Sequence, residues 1–386
     1  MDDGGKIGIA NITIELAKQG AEIDFFAFDN YSPNDVIDMV KPFARPVIFS
    51  HSTINSPARI IKSFLFNYSL YLRKHNNYSI RKFLKEYLKN NRYDIIQAEH
   101  TCMAPLAIYL KETYQIPVGL KLHNIEWTIW QRYADVLPKF SPRRIYIQQQ
   151  ANLLKTKETE LISKADICFT VTDDDRLRAL EMAPDANVVA SYAGVNLDDW
   201  LIDKSMSRNP YELIIATTFH WVHNRDAVKW FIEKVLPVVK SKIPEIKFTI
   251  IGKEAPEWLN NYKNLGVCVE GYVPKVQPYY NKANIFISPL FVGGGVRIKI
   301  LEALAMELPV VASPIAAEGI KAGKDEGLFV CDDADSFAEN IYFLCRNFHL
   351  ARKLGKEGRK YITENNTWEK SARIFLENYK KILNLQ

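Results

Sequence analysis

The sequence predicts an α/β protein built from two doubly wound domains. Short apolar runs alternate with helical stretches along the chain, which is the pattern of parallel strands joined by crossover helices. The pattern restarts after residues 194–211, a polar stretch with no sustained period, and 386 residues exceed the length at which one core keeps growing. We therefore expect two domains that face each other across a cleft, with a hinge in that stretch.

The predicted elements of the first half follow in order. Short apolar runs predict strands at residues 22–28, 93–98, 117–122, 165–171 and 187–191. Helical spacing predicts helices at residues 7–19, 58–89, 125–133, 143–163 and 174–182. Gly20 is a good C-terminal stop for the first helix.

The second half repeats the alternation. We predict strands at residues 212–217, 247–252, 267–271, 285–289, 309–312 and 327–330. Helices are predicted at residues 226–240, 277–282, 297–307 and 334–348, and an amphipathic helix at residues 368–383 ends the chain.

Composition narrows the class of protein. The chain is 47% hydrophobic and 25% charged, as an ordinary globular protein is. Its five cysteines are scattered without a C-x-x-C spacing, which argues against a disulfide framework or a zinc site and favours a reducing cytosol. No apolar run is long enough for a membrane span, and the N-terminus lacks the features of a signal peptide. We expect a cytoplasmic protein, at most peripherally attached to the inner face of a membrane.

One segment is strongly basic. Residues 59–92 contain nine Lys or Arg and one acid, Glu86, with aromatic residues among them. This composition suits contact with an anionic membrane or cover for a basic acceptor groove, and equally a long helix with a buried aromatic face. Nucleic acid is not predicted as a partner, because the net charge is only +5 and no recognisable binding motif occurs.

The most informative motif joins a predicted strand to a predicted helix. Residues 293–295 are three glycines, Arg297 and Lys299 follow, and Glu302 lies about one and a half helical turns further on. Glycines let a ligand approach the backbone, and a helix N-terminus with two cations favours an anion. Glu302 can accept hydrogen bonds from a vicinal diol such as ribose. The motif predicts a cradle for a nucleoside diphosphate, although a lone glycine turn would more often be structural.

A second polar cluster follows another predicted strand. His123, Asn124 and Glu126 come directly after the apolar residues 116–122. Ligands of open parallel sheets bind beyond the carboxyl ends of the strands, so both motifs are expected in one cleft. Glu126 is a candidate general base, and it is equally predicted to orient His123 or to cap the following helix.

These motifs together resemble the group 1 (family 4) retaining glycosyltransferases of the GT-B fold. Residues 293–314 resemble the nucleotide-sugar signature of that family, and residues 123–126 resemble the His-Asn-x-Glu signature of one branch. Weaker likenesses occur at residues 4–6, 194–196, 221–231 and 271–273, so the resemblance covers nearly the whole chain. It implies a Rossmann-like acceptor domain at residues 1–197, a Rossmann-like donor domain at residues 198–366, and a helix at residues 367–386 that crosses back to the first domain.

The resemblance also implies roles for particular residues. Arg297, Lys299 and the amides of Gly294 and Gly295 would bind the diphosphate, Glu302 the ribose, and His123 the donor sugar or its phosphate. The remaining donor-binding residues that it implies are Gly4, Gly5, His220, Asn224, Gly271, Tyr272, Val273 and Gly293. Two cations and a helix end neutralise a diphosphate without a divalent ion, so we predict neither metal nor cofactor; His220 and His223 are a weak metal pair.

The sequence departs from the family pattern in two places. Many members carry a Glu eight positions before the helix carboxylate, where this chain has Gly294, so catalysis by a Glu pair is not expected. The consistent mechanism is front-face displacement, in which the leaving diphosphate takes the proton of the acceptor hydroxyl. The family also places an apolar strand before its glycine-rich loop, and only Met1, Asp2 and Asp3 precede Gly4, so the first domain is predicted to lack its first strand.

The predicted function is transfer of a sugar from a nucleotide-diphosphate donor to a hydroxyl of a glycan or lipid-linked acceptor, with retention, in cell-surface polysaccharide synthesis. Two alternatives stay open. An epimerase on the same fold would need its own acid and base carboxylates in the cleft, and a non-catalytic nucleotide-sugar binder would bind tightly without turnover. The donor base, the sugar and the acceptor are not specified by these motifs.

Overall fold

The chain divides into two compact units. The structure is a computed structural model that describes residues 4–29, 35–293 and 295–385. The boundaries between the units fall at Tyr192/Ala193 and at Lys370/Ser371, so the last part of the chain belongs to the first unit. No helix among the described residues is long and apolar enough to cross a membrane.

Unit 1 alternates strands and helices. Its elements are α1 (Gly4–Lys18), β1 (Asp24–Asp29), α2 (Asp35–Val40), β2 (Arg45–Ser50), α3 (Pro57–Leu65), α4 (Leu70–Arg73), α5 (Tyr78–Lys89), β3 (Ile96–Glu99), α6 (Ala104–Tyr114), β4 (Val118–Leu122), α7 (Glu126–Asp135), α8 (Pro142–Lys164), β5 (Ile167–Thr170), α9 (Asp173–Met182) and β6 (Val188–Ala190).

The strands of unit 1 lie in two parallel sheets. Strands β3, β4, β5 and β6 form one sheet in that order, and β1 pairs with β2 in the other. Both sheets pack against the same helices, since Phe26 and Ile96 join Ile80 and Leu84 in one apolar cluster. The prediction about a strand before Gly4 concerns residues that lie outside the described part of the chain.

The prediction of one helix over residues 58–89 was wrong. The structure has three helices there, α3, α4 and α5, because the chain turns at two polar sites. Asn67 adopts a left-handed conformation with φ 50°, and the side chain of Asn77 accepts a hydrogen bond from the N–H of Ile80 to start α5. The sequence prediction also missed α2, β2 and α6. Strand β2 contains Pro46, which suits its edge position but weakens the strand signal.

Unit 2 restarts the alternation. Its elements are β7 (Glu212–Ala216), α10 (Val222–Trp230), a π-helical turn (Phe231–Val235), α11 (Leu236–Lys242), β8 (Lys247–Ile251), β9 (Val267–Gly271), α12 (Gln277–Lys282), β10 (Ile285–Ser288), α13 (Ile298–Ala305), β11 (Val310–Ala312), α14 (Pro314–Ala317), β12 (Leu328–Val330), α15 (Ala334–Arg346) and α16 (Phe348–Asn365). The last helix, α17 (Trp368–Ile382), begins in unit 2 and continues into unit 1. The sequence prediction missed α14 and α16.

The sheet of unit 2 fixes the position of its site. Its six strands are parallel in the order β12-β11-β10-β7-β8-β9, so the direction of winding reverses between β10 and β7. Ligands of open α/β sheets bind at such a switch point, beyond the carboxyl ends of the strands. The loops that leave β7 and β10 at that edge contain residues 217–221 and 289–297. The glycine motif of the sequence therefore lies at the switch point.

Candidate functional site

The glycine motif forms the turn between β10 and α13. Gly293 and Gly295 adopt φ values of 142° and 75°, a region that only glycine enters readily, while Gly294 lies outside the described residues. A Cβ atom on Gly293 would clash with the guanidinium of Arg297. The positive φ thus requires a glycine at this turn, and the Arg297 guanidinium fills the space beside it.

Arg297 is buried at the N-terminus of α13 without using all of its donors. It is the N-cap residue of that helix, and its Nε and Nη2 atoms are buried and lack a hydrogen-bond partner among the described residues. Burial lowers the pKa of Arg297, an effect that Glu318 partly offsets. Unpaired buried donors are costly to a fold, and an anion at the helix N-terminus would satisfy them.

Lys299 and Glu302 lie on the same face of α13, as the sequence predicted. Lys299 Nζ is 3.2 Å from Glu302 Oε2, and the Glu302 side chain is only 8% exposed. Burial raises the pKa of Glu302, and Lys299 partly offsets that rise. The pair places one exposed cation and one buried carboxylate beside Arg297. A diphosphate with a ribose attached carries the complementary groups.

The loop after β7 contributes to the same edge of the sheet. His220 is exposed, with Nδ1 3.5 Å from Glu254 Oε2, whereas the Asn224 side chain donates a hydrogen bond of 2.8 Å to the Thr218 carbonyl. Asn224 therefore holds the shape of the loop. The pKa of His223 is lowered by burial and by the nearby Arg297 guanidinium. His223, at the start of α10, therefore lies near Arg297 of the cradle.

The turn after β9 is the third part of this edge. Gly271 has a φ of 66°, Tyr272 is exposed, and Val273 is half-buried. Lys253 Nζ lies 4.9 Å from the centre of the Tyr272 ring. An exposed ring held by a cation offers a flat surface on which a base can stack.

In unit 1, His123 is paired with a residue that sequence reasoning missed. His123 Nε2 is 2.6 Å from Glu99 Oε2, at the end of the neighbouring strand β3. The His100 ring stacks on His123 with a centroid distance of 3.9 Å. Burial would raise the pKa of Glu99, but Lys121 and His123 lower it to about 2, so Glu99 is a carboxylate.

A signal for Glu99 was present in the sequence. Glu99 is the last residue of β3 as His123 directly follows β4, and Glu99 pairs in register with Lys121. Parallel strands end at the same edge of a sheet, so polar residues at both ends are expected to meet. The sequence alone does not show that β3 and β4 are neighbours, so it does not predict that Glu99 meets His123.

Glu126 lies in a separate buried cluster. Burial and the nearby Glu158 carboxylate raise the pKa of Glu126 to about 7, while a hydrogen bond with Tyr71 lowers it. Glu158, on α8, accepts hydrogen bonds from the N–H groups of Glu126 (3.0 Å) and Trp127 (3.1 Å). The first amides of α7 are therefore capped by Glu158, and His123 is oriented by Glu99. The role of Glu126 as a general base stays a prediction.

The remaining predicted residues have simple positions. Gly4 and Gly5 are the first two residues of α1 in unit 1; Gly4 is exposed and Gly5 is half-buried. No group of three or more His, Cys, Asp or Glu side chains that could hold a metal ion occurs among the described residues. Metal independence stays a prediction.

A comparison with protein families identifies part of the chain. Residues 211–347, which contain the switch point and the cradle, match the family model described as Glycosyl transferases group 1. The resemblance to group 1 glycosyltransferases is thereby confirmed. The matched region covers most of unit 2, from β7 to α15.

Curated relatives match only part of the chain, at low sequence identity. An uncharacterized 44.6 kDa protein in the cps region of Klebsiella pneumoniae is 28% identical over 46% of this chain and 48% of its own length. The putative glycosyltransferase EpsD of Bacillus subtilis is 28% identical over 36% of this chain and 39% of its own length. The chain thus spans less than half of each of these relatives.

Solved glycosyltransferases share the whole fold. Sucrose-phosphate synthase from Thermosynechococcus elongatus has a TM-score of 0.73 at 16% identity, covering 98% of this chain and 93% of its own. Anabaena HepE in complex with UDP has a TM-score of 0.69 at 11% identity, covering 98% of this chain and 96% of its own. These neighbours confirm the predicted GT-B fold class. At these identities they establish the fold alone.

Proposed function

We propose that this protein is a retaining glycosyltransferase. It transfers a sugar from a nucleoside-diphosphate donor to a hydroxyl of a glycan or lipid-linked acceptor, in the cytoplasm and in the synthesis of a cell-surface polysaccharide. The observation that carries the proposal is Arg297, buried at the N-terminus of α13 with unpaired Nε and Nη2 atoms beside a glycine turn. Such a site fits a diphosphate better than a neutral ligand.

The donor would occupy the edge of the unit 2 sheet. Arg297 and the amides of the glycine turn bind the diphosphate, and Lys299 supports it from the exposed side of α13. Glu302 accepts hydrogen bonds from the ribose hydroxyls, and the base stacks near Tyr272. Anabaena HepE has been solved in complex with UDP and with UDP-glucose, so UDP-sugars are the first donors to try.

The reaction is a front-face displacement. The bond between the anomeric carbon and the diphosphate oxygen breaks, and a new bond forms from the same face to the acceptor oxygen. The acceptor proton passes to the leaving diphosphate, whose negative charge Arg297 and Lys299 stabilise. His123, held by Glu99, binds the donor sugar or its phosphate. Glu126, with a pKa of about 7, is the alternative acceptor of that proton.

The proposed biological role comes from the relatives. One relative lies in a cps region and another carries the name EpsD. Each of them matches less than half of this chain. They support a role in polysaccharide synthesis and leave the acceptor to be found by experiment.

The test is a donor screen without metal. The protein is incubated with a panel of UDP-, GDP- and dTDP-sugars in EDTA, and stabilisation is followed by thermal shift. We expect one donor to stabilise the wild type and neither Arg297→Gln nor Glu302→Gln, while the control Lys353→Gln, on an exposed position of α16, responds like the wild type.

Product analysis then separates transfer from the alternatives. Release of the nucleoside diphosphate only with an acceptor, and an α-linked product from an α-linked donor by proton NMR, would establish retaining transfer. Epimerised donor without acceptor would replace the proposal with an epimerase. Binding without turnover against a broad acceptor panel would indicate a nucleotide-sugar binder. A requirement for divalent metal would contradict metal independence.

A further inference from the structure

Helix α3 exposes an apolar face to solvent. Among its residues Pro57–Leu65 only Ser63 is buried. Leu65 and the following Phe66 are 69% and 73% exposed, and Ile61 is 59% exposed. Helices α4 and α5 behave differently, because they bury Leu72 and Ile80 in the core. Of the basic segment considered at residues 59–92, the structure thus leaves α3 as the part with an unpartnered apolar face.

A second exposed apolar segment lies next to α3. The connection between α7 and α8 contains Val136 and Phe140, which are 76% and 94% exposed. Tyr146 on α8 contacts α3 directly, since its hydroxyl is 3.0 Å from the Ser63 hydroxyl. Phe140 lies two residues before the start of α8 at Pro142, and Tyr146 is roughly 6 Å further along that helix at 1.5 Å per residue. The two segments therefore form one surface.

The charged residues of this surface are cations, and Asp135, next to Val136, is an exposed acid at its border. Residues 39–85 and residues 136–157 contain no Asp or Glu. Arg59, Lys62, Lys139 and Arg143 are exposed, and none of them forms an ion pair with another described residue. A solvated helix face of an ordinary globular protein usually mixes both signs. Exposed aliphatic and aromatic residues beside unpaired cations are typical of a surface that meets an anionic interface.

We propose that this basic apolar face docks on an anionic phospholipid bilayer. The face is formed by Ile54, Arg59, Ile61, Lys62, Leu65, Phe66, Val136, Lys139, Phe140 and Arg143. Its apolar residues enter the boundary between headgroups and acyl chains, and its cations contact lipid phosphates. Nucleic acid is the poorer partner, because exposed leucine and isoleucine side chains cannot donate hydrogen bonds to a phosphate backbone.

Docking on a membrane is a property separate from sugar transfer, and it does not depend on the proposed transferase activity. A protein whose acceptor is lipid-linked would gain local concentration of that acceptor at the bilayer, but the surface itself depends only on unit 1. The experiment therefore measures binding to vesicles that contain no sugar acceptor.

The test is vesicle flotation of the full chain. We compare phosphatidylcholine vesicles with vesicles that contain phosphatidylglycerol, at low and at high salt. We expect binding only to the anionic vesicles, and its loss in high salt, since the Debye length falls from about 10 Å at 0.1 M to about 3 Å at 1 M. Leu65→Ser/Phe66→Ser, Phe140→Ser and Arg59→Gln/Lys62→Gln are each expected to weaken binding about tenfold or more.

Matched controls are available on unit 2. Leu201→Ser changes a leucine that is 66% exposed, and Lys356→Gln/Lys360→Gln removes two exposed cations of α16. Both should bind like the wild type, and circular dichroism should show all variants folded. Equal binding to neutral vesicles, or variants of the face that bind like the controls, would overturn the proposal. A wild type that ignores vesicles but is a dimer, and becomes monomeric in the Phe140→Ser variant, would instead assign the face to a second copy.

Discussion

At the scale of single residues, the site uses groups that a fold alone would not choose. Arg297 buries donors without partners, Glu126 is a carboxyl with a raised pKa, and Glu99 is a buried carboxylate opposite His123. Buried unpaired polar groups and perturbed pKa values concentrate at functional sites, where stability is exchanged for ligand binding. Each of these residues gives a prediction in which stability and function move differently.

Replacing Arg297 should separate the effect on stability from the effect on ligand binding. An unsatisfied buried donor costs about 1–3 kcal/mol, and the Arg297→Gln variant removes the buried charge. The attraction from Glu318 opposes this gain, so we expect a melting temperature equal to or slightly above that of the wild type. Differential scanning calorimetry without ligand measures it. A fall of many degrees would mean that Arg297 supports the fold.

Glu126 should make stability depend on pH. Its pKa is raised to about 7 by burial and Glu158, whereas the unfolded carboxyl titrates near its usual value of about 4.3. The unfolded state loses its proton first, so this group contributes less stability as pH rises from about 4.3 to about 7, by roughly 4 kcal/mol in all. Glu126→Gln should lack that contribution to the slope.

Urea unfolding of both proteins at pH 5 and pH 8 checks this expectation. The groups around Glu126 are Glu158 on α8, Tyr71 on α4, and Cys102. The pKa of Glu158 is also raised by burial, so the wild type is compared with Glu126→Gln rather than judged alone. Equal slopes in the two proteins would contradict the buried, protonated state of Glu126.

Glu99 is expected to act through His123. The Glu99→Gln variant keeps an oxygen near Nε2 but loses the charge that stabilises the pair. We expect turnover to fall at least about tenfold, the size of effect seen when an orienting hydrogen bond is lost. Affinity for UDP without a sugar should stay unchanged, because the cradle lies in unit 2. Weaker UDP binding, measured by calorimetry, would show instead that the substitution acts on the fold.

At the scale of elements, the C-terminal helix α17 is tied to the centre of the unit 1 sheet. The Phe375 ring stacks on Phe169 of β5 at 3.8 Å, and the Tyr379 hydroxyl donates a hydrogen bond of 3.0 Å to Gln97 of β3. Gly119 of β4 makes room for the Tyr379 ring. Helix α17 therefore contacts the strands whose ends carry Glu99 and His123.

A methyl group at Gly119 should loosen this contact. A Cβ there would lie 2.4 Å from the Tyr379 hydroxyl oxygen and 2.7 Å from Cε1, closer than real Cβ atoms approach other atoms. We expect Gly119→Ala to lower the free energy of unfolding by about 1–3 kcal/mol, as overpacking does. Gly323→Ala is the control, because its Cβ meets only Glu326 Oε2 at 3.4 Å.

A substitution of Tyr379, the other residue of the contact, tests whether the cost of Gly119→Ala comes from the Tyr379 ring. In the Tyr379→Ala background the obstacle is gone, so Gly119→Ala should cost less than in the wild type. Chemical denaturation of the four proteins gives the coupling free energy. Equal costs in both backgrounds would place the effect of Gly119→Ala elsewhere in the sheet.

At the scale of the whole molecule, each unit contains an apolar core among the described residues. One core is formed by the unit 2 sheet and its helices, and another joins β3, β4 and β5 to the helices of unit 1. Separate cores open with separate free energies, so a ligand held by one unit protects that unit first.

Hydrogen exchange with UDP tests this expectation. We expect added protection in residues 217–225 and 295–306, the loop after β7 and the turn into α13, and little change in β1 or β2 of unit 1. The control is the Arg297→Gln variant, in which UDP should protect neither segment. Protection spread evenly over both units would contradict independent opening.

The local signals in the sequence were enough to predict much of this protein. Alternation of apolar runs and helical periods predicted the doubly wound class, and nearly all strands of unit 2 lie within a residue or two of their predicted positions. The cradle was also predictable, because three glycines, two cations and a carboxylate lie within ten consecutive residues and a single strand-to-helix turn brings them together. These features depend on neighbours along the chain.

The rest was decided by contacts between distant residues. The break of residues 58–89 into three helices, the pairing of Glu99 with His123, and the capping of α7 by Glu158 all depend on which strands and helices lie side by side. Strand order and helix packing are set by burial of the whole chain, and a single sequence carries no local signal for them. The sequence by itself therefore determined the fold class and the glycine turn that groups Arg297, Lys299 and Glu302, whereas only the tertiary structure decided which distant charges meet.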